Sequence, residues 1–385
     1  MRMLNAWTLE VDDPVIAVTE ILEQLDLENR LLAHSVGLIT CSYDYVETGI
    51  VKTLCDAMPF EVVGCTTLTN AVNQKAGDLL LCLSVLTADD CRFITARTPA
   101  LGETAPAIIS ETFQHAAAQL DAQPGLTLAF LPFLSNVSGE LMLTSLNDAA
   151  AGAPIFGTIA CDTDIAHFSN TFTLHNGTPL RDSMSMLLIS GNVRPHFVVT
   201  STSEQNLHKQ NAIVTSSEGS VLKEINNISA REYFESIGLS QGEGLEAMVS
   251  LPFVVDYNDG SQPVARAIYS LNSDGSASCG GIMPKGGTLY IGRMDVDDIL
   301  LTAEQSLEKL LKNKDINGII MFPCLGRNMV LGVTPLSEIE KVQGILGNSF
   351  PCHLAYSGGE VCPVYGSQGR TVNRFHNFTF IACAI

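Results

Sequence analysis

The chain has 385 residues, 46% of them hydrophobic and 16% charged, with a net charge of −20 and a pI near 4.6. A surface this acidic repels phosphate backbones and anionic lipid heads, so neither nucleic acid nor a membrane is expected as a partner. No run approaches the ~20 apolar residues of a membrane span, and the acidic N-terminus lacks the apolar segment of a signal peptide.

The length exceeds what one core needs, which predicts two domains, and the sparse charge suggests extensive burial and a homo-oligomer interface. Eleven cysteines, several inside apolar runs and none in a CxxC pair, read as reduced, buried thiols of a cytoplasmic protein, without a structural zinc site.

Asp13-Pro14 is a helix-start signal, followed by Ile16, Ile21, Leu22 and Leu25 at helical spacing. "SVGLITCSYD" then predicts a strand. A helix carrying Val46, Ile50, Val51, Leu54 and Met58 follows, then "FEVVGCTTLTN" and "DLLLCLSVLTA" as strands. The order returns in "LTLAFLPFLSN", a helix from Ser138 to about Ala151, and "PIFGTIACDTD". "SNTFTLHNGT" and "SMSMLLISGN" read as a hairpin turning at His175-Asn176-Gly177.

A different region intervenes, with a polar boundary near 200–212. It holds a short helix in "SAREYFESIGL", strands with Gly-rich turns over 263–295, and a helix over roughly 299–313. The plan then returns a third time. "INGIIMFPCLGR" is a strand, Ser337 to Glu340 a capping box, Gly347-Asn348 a helix stop, and "FPCHLAYSGGEVCP" and "RFHNFTFIACAI" are strands. The expectation is an α/β fold of two fused domains, 1–205 and 206–385, with repeated β-α-β units and mixed sheets. A mixed α+β arrangement is the alternative.

A β-α-β step of this length implies parallel strands with a right-handed crossover, and ligands of such sheets bind beyond the carboxyl ends of the strands. Those ends supply the candidate ligand-binding residues: Cys65, Thr66, Thr67, Ser135, Asn136, Asp162, Cys324, Arg327, Tyr356, Gly358, Gly359 and Glu360. Glu360 follows two glycines, which clear space around a carboxylate suited to a ligand amine, or it caps a turn. Arg327 forks onto a ligand carboxylate, or pairs with an acid as a structural bridge. Together the two suit a zwitterion such as an amino acid.

The bland alternatives weigh against other roles. Cys65 and Cys324 lack a base assigned by sequence and read as inert core residues more readily than as nucleophiles. Asp162 and Asp164 fit a solvated turn better than a cation site. His175 and His376 are satisfied structural histidines or haem ligands. The glycines around Lys285 do not form a phosphate-binding loop.

Five stretches, "VVGCTTLT", "GTIACDT…NTFTLHNG", "GSVLKEINNISAREYF", "FPCLGR" and "YSGGEVCPV…RFHNFTF", resemble in order the N-terminal and C-terminal parts of the FIST domain. The resemblance runs from about residue 30 to the end. It implies a bacterial intracellular sensory module for small ligands such as amino acids, with no cofactor and no catalysis. Signalling would pass to a separate partner protein. A haem-binding nitric-oxide sensor and a cysteine-dependent enzyme are the alternatives. The chain departs from the family pattern in its first glycine turn, where Gly64-Cys65-Thr66-Thr67 leads to Asn70 and not to a carboxylate.

Overall fold

The computed structural model describes residues 1–164, 167–239, 251–313, 315–366 and 371–385. The fold is α/β, built from four mixed or antiparallel sheets with helices on their outer faces. No helix among the described residues is long and apolar enough to cross a membrane.

Three parallel strand pairs organise the molecule. His34–Cys41 pairs with Val62–Thr66, Leu126–Leu131 with Ile155–Ile159, and Ile319–Met321 with Cys352–Ala355. Helices span each pair: Asp44–Glu47 and Ile50–Ala57 in the first unit, Gly139–Ala150 in the second, Leu325–Leu331 and Ser337–Leu346 in the third. The single helix expected over 46–58 is broken at Gly49, whose φ of 78° ends one turn and starts the next. Two other helix starts are capped as expected. Asp13 accepts from the backbone of Val15 at 2.8 Å, and Ser138 accepts from Leu141 at 3.2 Å.

The capping box expected at Ser337 does not form. Ser337 is the first helical residue and its hydroxyl donates to the Thr334 carbonyl at 2.9 Å, behind the helix rather than ahead of it.

After each parallel pair the chain forms a hairpin that leaves its own sheet. The hairpin Asn70–Val72/Lys75–Gly77 of the first unit joins the third unit's Cys352–Ala355. The second unit's Thr173–His175/Thr178–Leu180 joins the first unit's Val62–Thr66. The third unit's Glu360–Tyr365/Thr371–His376 joins the second unit's Ile155–Ile159. Three six-stranded sheets are thereby closed into a ring with pseudo-three-fold symmetry.

This exchange explains why two expected strands divide. "FEVVGCTTLTN" and "FPCHLAYSGGEVCP" each run through one sheet, turn, and begin another. Likewise the turn Asn176-Gly177, both with positive φ, closes a hairpin whose second strand is 178–180; "SMSMLLISGN" belongs to a different sheet. A strand over Arg2–Thr8, not anticipated from the sequence, edges the first sheet.

The inner faces of the three sheets meet in one core, with Leu38 and Cys65 from the first, Leu128, Phe130, Phe156 and Ala160 from the second, and Ile320, Phe322 and Ala355 from the third. Their outer faces pack under helices in separate clusters. Two glycines allow close strand approach. A Cβ on Gly64 would lie 1.7 Å from the Ile39 carbonyl oxygen, and one on Gly157 1.9 Å from that of Ala129.

Within residues 207–239 and 251–292 lies the fourth sheet, an eight-stranded one among the described residues, with its own core and the helix Ala230–Ser236. It docks on the third unit's hairpin through the fully buried Arg266, which donates to the Phe375 carbonyl and pairs with Glu140.

Candidate functional site

The carboxyl ends of the parallel strands meet at one pole of the ring. Three backbone bonds tie them cyclically. Leu68 N–H donates to the Tyr356 carbonyl at 3.1 Å, Cys161 N–H to that of Thr66 at 3.0 Å, and Gly358 N–H to that of Ile159 at 3.0 Å. These bonds define equivalent positions in the three units. Thr67, Ala160 and Ser357 correspond, because each donates its N–H back to the first strand of its own pair, at Cys41, Leu131 and Pro323. Ser42, Pro132 and Cys324 follow those acceptors. Asn70, Thr173 and Glu360 begin the exchanged hairpins and pair with Ala355, Cys65 and Thr158.

Side chains alternate along a strand, and directly opposed residues share a face. Ala355 and Cys65 lie in the inner core, so their partners Asn70 and Thr173, and by equivalence Glu360, face inward too. All three are fully buried.

Buried polar groups are nearly always hydrogen-bonded, and each exception needs an account. Among the described residues, most of the buried side-chain atoms without a partner gather at this pole: Ser42 Oγ, Asn70 Nδ2, Asp162 Oδ1, Ser357 Oγ and Glu360 Oε1. His376 Nδ1, directly opposite Glu360 on the next strand, is another. Glu360 Oε2 accepts from Thr379 Oγ1 at 2.7 Å and from its N–H at 3.3 Å. The Cys324 thiol lies beside the same carboxyl group, yet no donor reaches Oε1 with hydrogen-bond geometry. Burial pushes the Glu360 pKa up to about 8, against the lowering effect of these donors.

The first and third units differ at one point. Thr67 Oγ1 donates to Asn70 Oδ1 at 2.6 Å, closing that pair on itself. The equivalent pair, Ser357 and Glu360, stays open, with a free oxygen on each side chain. The second unit presents Pro132, Ala160 and Thr173 instead, and the Thr173 hydroxyl donates to the Ser183 carbonyl at 2.6 Å.

Other expected site residues fall elsewhere. Arg327 is fully buried behind the third sheet. Its Nε donates to Glu338 Oε1 at 2.9 Å, and its remaining nitrogens bond the Ser201 and Ile299 carbonyls and Thr302 Oγ1. Tyr356 points to the same outer side, its hydroxyl 2.6 Å from Glu338 Oε2. Of the two readings of Arg327, its contacts match the structural bridge, with Glu338 as the acid. The zwitterion clamp of Arg327 and Glu360 does not form, because the two side chains occupy opposite faces of the structure around Tyr356-Ser357.

Thr66 also turns outward, accepting from Phe172 N–H at 2.9 Å. Ser135 and Asn136 are solvent-exposed in the loop after Leu126–Leu131. Asp162 lies near the pole. One of its oxygens accepts from Asn170 N–H at 2.6 Å, and burial raises its pKa. Asp164 instead engages the exposed His167 and Ser169. Gly358 packs against the second unit beside the Ala160 carbonyl, and Gly359 against Phe375 of its own unit's hairpin and Ile159 of the second unit, where side chains would crowd.

Cys65 is a buried core residue, and burial drives its pKa, and that of Cys324, well up. Ser42 and Ser357 escaped the sequence reading of the site, since a serine after a strand carries no signal by itself. The equivalence of Thr67 with Ser357 becomes visible only once the strands are registered. A surface groove of about 620 Å3 lies elsewhere, lined by residues such as His34, Glu61 and Arg92 and sharing none with the pole.

Among solved structures, the chain is similar to a cyanuric acid hydrolase from A. caulinodans, at 10% identity with a TM-score of 0.37, covering 100% of this chain and 98% of that one. It is also similar to T. maritima PurL complexed with AMPPCP, at 10% identity with a TM-score of 0.19, covering 99% and 72%. Likeness this low carries no argument about fold or chemistry. No curated protein matches. The FIST N domain matches residues 35–228 and the FIST C domain residues 229–363. FIST domains are associated with the sensing of small ligands in signal transduction. With both domains matched in order over most of its length, the chain belongs to the FIST family.

Proposed function

We propose that this protein is a small-ligand sensor of the cytoplasm that binds a polar metabolite, such as an amino acid, at the pole of the ring and signals through a separate protein. The observation that carries this reading is the open pair Ser357–Glu360, two buried side chains with unused oxygens where the equivalent Thr67–Asn70 pair is closed. An unmet buried polar atom costs about 1–3 kcal/mol, and a ligand donor that meets it recovers that loss on binding. An amine suits the site, because its ammonium group takes the place of the proton that burial keeps on Glu360, the proton leaving to solvent as the carboxylate gains a close counter-charge. The eleven cysteines are all free thiols, as a reducing compartment favours.

Catalysis by Cys324 is disfavoured by the same geometry. A nucleophilic thiolate needs a positive field, whereas the neighbour of Cys324 is a carboxyl group that pushes the thiol pKa further up.

The test is a thermal-shift screen of amino acids and small amines on wild-type protein and Glu360→Gln. Mass action predicts a concentration-dependent rise in melting temperature for wild type, lost in the variant. Equal shifts in both proteins, or none in either, would overturn the reading.

A further inference from the structure

The strand exchange places the first unit's hairpin directly against the open pair of the third. Asn70 pairs with Ala355 in an antiparallel ladder, and the pairing continues through Tyr356 N–H to the Thr69 carbonyl at 2.9 Å and Leu68 N–H to the Tyr356 carbonyl. Ser357, two residues beyond Ala355, is therefore the diagonal neighbour of Asn70 on the inner face. Such neighbours stand roughly 7–8 Å apart at the backbone, within the span of a few heavy atoms.

The two sides differ in chemistry. On the third unit's side are Glu360 Oε1 and Ser357 Oγ, which accept from a cationic donor once the carboxyl group has released its proton to solvent. On the first unit's side, Thr67 holds Asn70 Oδ1, which turns the amide nitrogen away from it, and Asn70 Nδ2 has no partner. Ser42 adds a second unpartnered group, at the position equivalent to Cys324 beside Glu360. Asn70 is fully buried and Ser42 is 2% exposed. Asn70 Nδ2 donates only, and Ser42 contributes a hydroxyl hydrogen, so this side receives oxygen. The second unit closes the third side with Pro132, Ala160 and Thr173, whose hydroxyl already donates to the Ser183 carbonyl, and its Asp162 keeps one unpartnered oxygen near the pole.

We propose that the pole is one two-sided site for a small zwitterion, in which Glu360 and Ser357 take the ammonium group and Asn70 and Ser42 take the carboxylate. The inference rests on the sensor reading above and assigns the carboxylate seat to the first unit, in place of an arginine. The seat is neutral. It selects by hydrogen-bond donation and by fit, so the ligand's far end must be compact.

The distinguishing experiment is isothermal titration calorimetry of the full chain with glycine, L-alanine and L-serine, and with ethylamine and propionate as half-ligands. The proteins are wild type, Glu360→Gln, Ser42→Ala and Asn70→Ser. At least one amino acid binds wild type, and each of Ser42→Ala and Asn70→Ser weakens it about tenfold or more, the cost of a lost bond to a charged group. Ethylamine binds more weakly, and its affinity depends on Glu360 and not on Ser42.

A control separates binding from folding. Ser42 Oγ has no partner in the ligand-free protein, so Ser42→Ala leaves the ligand-free melting temperature unchanged or raises it while binding falls. Amino acids that need Glu360 but bind Ser42→Ala and Asn70→Ser as they bind wild type overturn the two-sided site and leave the sensor reading standing. No binding by any of the five probes at ~10 mM, where mass action still registers a millimolar Kd, overturns the two-sided site; affinity indifferent to Glu360 overturns both.

Discussion

Glu360 offers a direct measurement of the buried carboxyl group. Its pKa rises from an ordinary 4.5 to about 8, chiefly through burial. The native state therefore holds a proton between about pH 5 and 8 that the unfolded chain has released. Stability falls as pH rises through this window and levels off above it, by the linkage of proton binding to folding. At 1.36 kcal/mol per unit, the full shift corresponds to a ceiling of about 5 kcal/mol. Glu360→Gln has no proton to lose and keeps the neutral shape.

Urea denaturation of both proteins at pH 5, 6, 7 and 8 gives the difference directly, with the histidines and remaining acids common to both. The wild type should lose ground to the variant by up to ~1.4 kcal/mol per pH unit in mid-window. The nearest interacting groups are the Cys324 thiol and, more weakly, Arg327, and neither titrates in this range. A difference that stays flat from pH 5 to 8, or that moves in favour of the wild type, refutes the assignment of Glu360 as a buried, unpaired acid.

Other consequences follow from the same packing. Arg327→Met should cost about 3–5 kcal/mol in chemical denaturation by stranding Glu338 without its partner, and Arg327→Met/Glu338→Gln should recover part of it; full additivity of the two substitutions would contradict the pairing. Gly64→Ala drives a Cβ into the Ile39 carbonyl and should lower the melting temperature sharply or abolish soluble expression; wild-type stability would show that the strands separate easily. Burial lowers the pKa of His353 and His376 to about 3, so their Cε1–H resonances should not titrate between pH 5 and 8, and their contribution to stability should be lost only as pH falls from about 6.5 toward 3. Native protein should react slowly with iodoacetamide at all eleven thiols, each buried; one fast-reacting cysteine would revive the nucleophile reading.

The local elements were legible because their signals are local. Asp13 and Ser138 cap where their spacing says, and apolar runs such as "SVGLITC" and "LTLAFL" form strands because no alternative buries them as well. The threefold recurrence of strand, helix and strand was legible for the same reason, whereas the meeting of the three units' strand ends was not, because it depends on the hairpins exchanged between sheets. The family followed from short motifs in order. Even so, the Ser337 capping box failed. A cap depends on where the preceding turn leaves the chain, and Leu336 and not Ser337 holds the cap position.

Partner choice was decided by tertiary structure. Nothing in "GGEVCPVY" says that it pairs with the second unit's Ile155–Ile159 rather than with the strand before it, and nothing in "TNAV" says that it crosses to the third. Those choices put Asn70 beside Ser357 and turned Tyr356 and Arg327 outward to Glu338. One residue along a strand reverses the face a side chain takes, so Tyr356 and Ser357, adjacent in sequence, serve opposite sides of the sheet. Composition and periodicity determine which segments are buried strands. Only the register of the closed ring determines which polar side chains are left facing one another without partners.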